Sequence, residues 1–274
     1  MRYERLLSPS AVNMYFQCPR RFYYRYILGM PVKDTIHTIR GTIVHSVLER
    51  FFDLDKSKLT NLNYRKVIHD RISSLFREEW DKAEPKLNSL DLGRKEVDYF
   101  YEDSTIQLDR WLNKFLDQME KKMKELFMIR SAWDYYMPKH RELKLRSYEL
   151  GMMGFIDQVL ELGERSIIID FKTSSKPKIT PDYMLQLSVY RMLYSDKYNV
   201  EPETYLWFLR YGLKRVHILE EHITDARFRI EQVHEALKSK NILDYPKNES
   251  GLCKWENVNS KGECDFYCEC FKRS

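Results

Sequence analysis

The chain has 274 residues, 43% hydrophobic and 14% aromatic, which excludes a disordered chain and allows one large domain or two small ones. No apolar run approaches a membrane span, and the opening MRYERLLSPS holds no apolar signal region, so no export signal is read and a cytoplasmic, intracellular chain with no membrane partner is expected. The formal net charge is +5, and residues 1–50 account for it with eight Lys/Arg against three acids. That excess lies beside Tyr15, Phe16, Phe22, Tyr23, Tyr24 and Tyr26. Cations interleaved with rings suit a phosphate backbone and stacked bases, which marks Arg20, Arg21, Arg25, Tyr23 and Tyr24 as candidate nucleic-acid contacts. The alternative is a solvated amphipathic helix.

In chain order, Ser8-Pro9 opens a helix to about Gln17, Cys18-Pro19 interrupts it, and a second helix carries Arg20 to about Ile27 before Gly29 and Pro31. Residues 39–54 have helical period, with Val44, Val47, Leu48 and Phe51 as the apolar stripe and His45 and Glu49 sharing another face. A lone helical His is usually structural, and Glu49 reads as a surface charge. Two long charged helices follow over 61–82 and 93–130, with Glu84-Pro85 to Asp91 as the linker. Residues 55–140 thus read as a helical insertion within a single domain spanning 1–274.

Residues 142–150, 153–162 and 165–174 read as strands, Thr180-Pro181 starts a helix, 203–220 holds two more strand candidates, and Thr224 caps a helix to about Lys240. The tail from Pro246 is polar and irregular. Helices, strands, helix, strands, helix gives α/β with a mixed sheet.

The stretch GFIDQVLELGERSIIIDFK organises the rest. Gly163 tolerates the positive φ of a tight turn, and alternation puts Asp170 and Lys172 on one face while Phe171 joins Ile167 and Ile169 on the other. Antiparallel pairing brings Asp157 to the same edge. Two carboxylates and an ammonium there can hold a divalent cation beside a polarised water; the bland alternative is a half-buried hairpin with ordinary surface charges.

SPSAVNMYFQCPRRFYYRY, RGTIVHSVLE, GFIDQV, IIIDFKTS and QLSVY, in this order, resemble the RecB-like branch of the PD-(D/E)XK nucleases: CRISPR-associated RecB-like exonucleases, the AddB nuclease domain and the exonuclease V group. The resemblance covers both ends and residues 142–195, and says little of 55–140. It implies a restriction-endonuclease-like core with a mixed central sheet, flanking helices and the helical insertion. It places catalytic roles on His45, Asp157, Asp170, Lys172, Gln186 and Tyr190. It puts Mg²⁺ or Mn²⁺ on His45, Asp157, Asp170 and the backbone carbonyl of Phe171. The implied activity is a metal-dependent DNA exonuclease acting on single-stranded ends, in DNA repair, recombination or CRISPR-type processing. The alternatives are a catalytically silent nucleic-acid-binding module of the same fold and a structure-specific endonuclease. DNA is the expected partner; any helicase or CRISPR or repair protein would be a separate chain.

Four of the five cysteines lie within the last 22 residues, and clustered cysteines in a chain without an export signal more often bind metal than form disulfides. The resemblance extends to iron–sulfur members, in which an N-terminal Cys joins three C-terminal ones. Cys18 matches the first, and Cys264 and Cys270 match a final C-x5-C. Lys261 stands where another Cys would be, with Cys253 as its substitute and Cys268 as the alternative. A [4Fe–4S] cluster is expected, with Zn²⁺ second, clipping residues 1–30 to 246–274.

Overall fold

The computed structural model describes residues 2–90, 92–257 and 260–271. Helix α1 (Pro9–Gln17) begins at Ser8, whose hydroxyl accepts from the Ala11 amide at 3.2 Å. Cys18 is extended, and α2 (Pro19–Phe22) passes into a π-helical turn, Tyr23–Ile27, where a plain helix was expected. The wider turn is closed by the Leu28 amide on the Tyr23 carbonyl at 3.0 Å, and the neighbouring Tyr23 and Tyr24 rings are both buried. Helix α3 (Ile36–Phe51) is capped by Thr35. Helix α4 (Tyr64–Asn88) runs through Pro85, so the expected linker is shorter, and its last position, Asp91, lies outside the described residues. Pro85 is tolerated because it and Asp81, whose carbonyl loses its partner, are exposed to water, while Leu87 is buried and anchors the last turn. Phe127, at φ 60°, ends α5 (Arg94–Leu126) and separates it from α6 (Ile129–Tyr136).

The sheet has the order β1 (His140–Ser147), β2 (Met152–Leu162), β3 (Arg165–Lys172), β4 (Glu203–Phe208), β5 (Gly212–Val216). Only β3 and β4 are parallel, and α7 (Pro181–Tyr198), capped by Thr180, crosses over between them. Gly163 turns β2 into β3 at φ +64°. Helix α8 (Glu220–Ala236) starts four residues before the expected Thr224, because the His222 ring accepts the Leu219 amide at 2.9 Å and caps the helix from there. The tail, expected to be irregular, forms a hairpin of β6 (Lys254–Asn257) and β7 (Ser260–Glu263), then α9 (Tyr267–Phe271).

Alternation along β3 and β4 divides the core. Ile167, Ile169, Phe171 and Trp207 face α3 to α6, while Ile168, Leu206 and Phe208 face α1, α7 and α8. The architecture is thus a five-stranded mixed sheet between helical layers. Among the described residues, no helix is long and apolar enough to cross a membrane.

Candidate active site

Register alone assembles the first part of the site. Gln158 pairs with Ile169, which sets Asp157 opposite Asp170. Arg141 pairs with Gln158 and Leu143 with Ile156, which sets Glu142 opposite Asp157. Three carboxylates therefore form a row across β1, β2 and β3, an arrangement that destabilises a sheet unless something neutralises it. Glu142 breaks its pairing with a backbone φ of 47°, uncommon for any residue but Gly. Helix α3 delivers His45, whose Nδ1 lies 3.2 Å from Asp157 Oδ1. Asp157 Oδ2 accepts the Phe171 amide at 2.6 Å, which orients the carboxylate. Ligand atoms of His45, Glu142 and Asp157 all lie within 4.8 Å of one another.

The electrostatics record surplus negative charge. Burial disfavours a charged His45, yet Asp157, then Asp170 and Glu142, outweigh it and push its pKa to about 9. Burial, followed by Asp157, lifts Glu142 to about 7, and Glu49 contributes. Glu49 is only half exposed, so the surface charge expected there also acts on the site. Asp170 is raised by burial, with Lys172 opposing and Asp157 adding. Groups that hold protons against their ordinary tendency, on hard oxygens beside an imidazole, fit a divalent cation of the Mg²⁺ or Mn²⁺ kind.

The second part comes from β3 and α7. Lys172 Nζ stands 2.6 Å from Asp170 Oδ2 and donates to Gln186 Oε1 at 2.7 Å. Gln186 Nε2 donates to the Tyr190 hydroxyl at 2.8 Å, and the ammonium lies 4.5 Å from the centre of the Tyr183 ring. Gly154 is required here, since a Cβ at that position would lie 2.9 Å from Tyr190 Cε1.

A family model described as the PD-(D/E)XK nuclease superfamily matches residues 6–269. The chain belongs to the PD-(D/E)XK nuclease superfamily. No curated protein matches the sequence. Among solved structures, the fold is similar to that of a candidate exonuclease from Eubacterium rectale, with a TM-score of 0.51 and 9% identity over 91% of this chain and 86% of that one.

Within this nuclease, two of the N-terminal residues marked for nucleic acid are turned inward. Tyr23 and Tyr24 are buried, and their hydroxyls donate to the carbonyls of Lys240 and Glu269 at 3.1 and 3.2 Å. Their rings cannot stack on bases. Arg20 donates to the Tyr245 carbonyl at 2.7 Å, and Arg21 pairs with Asp265 at 3.2 Å. Arg25, at the surface, donates to the Met30 carbonyl at 3.1 Å. Arg20, Arg21, Tyr23 and Tyr24 thus hold the C-terminal part of the chain, whereas Phe16 of the same segment is exposed.

Cys18, Cys253, Cys264 and Cys270 line one small cavity between α2 and the tail, and the Cys264 amide donates to the Cys253 carbonyl at 2.9 Å. Cys268 is exposed on α9, away from that lining. Burial, then neighbouring thiols, raises the Cys270 pKa. All five cysteines are free.

Sequence reading missed Glu142. A signal existed: it heads the alternating stretch ELKLRS, and pairing that stretch antiparallel with GFIDQV brings its acid to Asp157.

Proposed function

We propose that this nuclease is a divalent-metal-dependent deoxyribonuclease that acts on single-stranded ends. The observation that carries this reading is the carboxylate row with His45 against Asp157 at its middle and a fixed ammonium against Asp170 at its end. Glu142, Asp157, Asp170 and His45 would hold the cation, joined by the Phe171 carbonyl. When bound, such an ion neutralises phosphate charge and lowers the pKa of a water. Gln186 fixes the Lys172 ammonium against rotation, and Tyr190 fixes Gln186. Lys172 is thereby aimed at the space beside Asp170, where it can stabilise charge developing on a phosphoryl oxygen. The silent-module alternative is disfavoured, because His45 of α3, Asp157 of β2 and Asp170 and Lys172 of β3 are all present and converge.

Strand binding is assigned to a different face from the one expected. Phe16 is exposed, with the Arg229 guanidinium 5.0 Å over its ring. Arg229 also lines a groove with Thr180, Pro181 and Met184 at the start of α7, the helix that carries Gln186. A ring with a cation over it can stack bases without sequence preference, which suits the exonuclease reading that the Eubacterium rectale protein also bears.

The deciding experiment is digestion of end-labelled single- and double-stranded DNA with Mg²⁺ and with Mn²⁺. Mononucleotide release from single strands, abolished in Asp170→Ala, is expected; cleavage that Asp170→Ala retains would sink the site.

A [4Fe–4S] cluster on Cys18, Cys253, Cys264 and Cys270 belongs to the same proposal. Each of its cysteines binds a different iron, so the sulfurs stand farther apart than the ligands of one ion. What supports a shared group is that these four cysteines line one cavity; among the described residues no three of their sulfurs lie within 4.8 Å of one another, and a single Zn²⁺ is the alternative. Iron analysis of anaerobically purified Cys18→Ser and Cys268→Ser decides it: loss in the first and retention in the second is expected. Zinc in place of iron would replace the cluster.

A further inference from the structure

We infer that Asp103, from the helical insertion, is a positioning residue for the active site, fixing the backbone that follows Lys172; the inference rests on the nuclease reading above. Asp103 lies on α5 and is 5% exposed. Its Oδ2 meets Arg40 Nη1 at 2.6 Å and Gln107 Nε2 at 2.8 Å, and its Oδ1 accepts from Arg210. Arg40 itself and the residue before Arg210 then meet the end of β3. Arg40 is five residues before His45 on α3, and its Nη2 donates to the Thr173 carbonyl at 3.0 Å. Arg210 follows Leu209, whose amide donates to the Lys172 carbonyl at 3.1 Å. Two successive carbonyls, those of Lys172 and Thr173, are therefore held from segments that Asp103 gathers. Beyond them, the Tyr211 hydroxyl donates to the Ser175 carbonyl at 2.6 Å, extending the same attachment along the loop.

One carboxylate here serves two guanidiniums. Without it, two like charges remain at close range in a buried setting, and the arginines have no common anchor. The residue that loses its fixed position is Lys172, whose aim depends on backbone placed to a fraction of an ångström. The insertion thus contributes to catalysis through Asp103, which hydrogen-bonds Arg40 and Arg210 rather than the carboxylate row.

The test pairs Asp103→Asn with Arg40→Lys. Lysine keeps the charge opposite Asp103 but lacks the fork that also reaches Thr173, so it should fold even if Asp103→Asn does not. Two quantities are read for each folded variant: steady-state kinetics on single-stranded DNA with Mn²⁺, and amide hydrogen exchange. We expect kcat to fall about 10- to 100-fold with KM changed by less than about twofold, and exchange at residues 171–176 to quicken while β1 and β2 keep their protection. Wild-type kcat in Arg40→Lys, a rise confined to KM, or unchanged exchange at 171–176 would overturn the inference. If the wild-type protein cuts no DNA, the deoxyribonuclease reading fails on its own, and the exchange measurement still decides this one.

Discussion

At the end of β3 two buried charge clusters stand on either side of one backbone segment. In the first, Glu142, Asp157 and Asp170 crowd together with only His45 and Lys172 to offset them. In the second, Arg40 and Arg210 crowd around Asp103, and Gln107 and the Thr173 carbonyl take up further hydrogen bonds. With His45 protonated the first cluster keeps one surplus negative charge, on oxygens that can take a cation, and the second keeps one surplus positive charge, on guanidiniums that cannot. That difference separates a place kept for a cation from a fastening. It also means that the same kind of substitution should act in opposite ways at the two.

The largest contrast is in stability. Asp103→Ala leaves a buried Arg40 and a half-buried Arg210 without their anion and should cost about 3 kcal/mol. Glu142→Gln removes one of three repelling acids while the Asp157–His45 and Asp170–Lys172 pairs stay intact, and should leave the metal-free protein as stable as before, or more so. Denaturant titration of both proteins without metal reads the difference; equal losses would erase the distinction.

A smaller effect sharpens the cation side. Glu142→Gln should weaken Mn²⁺ binding about tenfold, or about 1.4 kcal/mol, as measured by calorimetry. Unchanged affinity would remove Glu142 from the ligand set and leave its backbone conformation without a role in metal binding.

The smallest effect gives a baseline away from both clusters. His234 is buried, stacked on Tyr3 with ring centres 3.9 Å apart, and its Nε2 lies 3.1 Å from the Gly151 carbonyl. Burial lowers its pKa below the ordinary 6.5. In the window between that lowered value and 6.5 the unfolded chain binds more protons than the folded one, so stability falls as the pH drops through it. His234→Phe should flatten this part of the stability profile; an unchanged slope would place the acid sensitivity on other groups.

The two clusters also differ in how far the sequence revealed them. Asp157, Asp170 and Lys172 lie within sixteen consecutive residues, on strands whose alternation fixes which side chains share a face. Their convergence could be read before any fold was known. Glu142 could have been read the same way had its strand been paired with the next. Nothing local marks Asp103. It is one acid among many on a charged helix, and its partners lie 63 and 107 residues away. Burial makes it special, and burial is decided by tertiary packing. Tyr23 and Tyr24 misled for the same reason: rings beside arginines suit a stacking surface equally well until the tail closes over them. The strands and most of the helices followed from period and capping, whereas Pro85 did not, because whether a helix tolerates proline depends on how wet its lost hydrogen bond is.

The attachment of α2 and its π-helical turn to the tail has a consequence in time. The Tyr24 hydroxyl meets its acceptor 245 residues downstream. At ordinary rates of synthesis that partner leaves the ribosome on the order of 12–50 seconds after Tyr24 does. Throughout that interval the first helices can form, but their aromatic underside has no lid. The order of completion therefore departs from the order of synthesis, and this early-made segment is among the last parts of the molecule to be sealed.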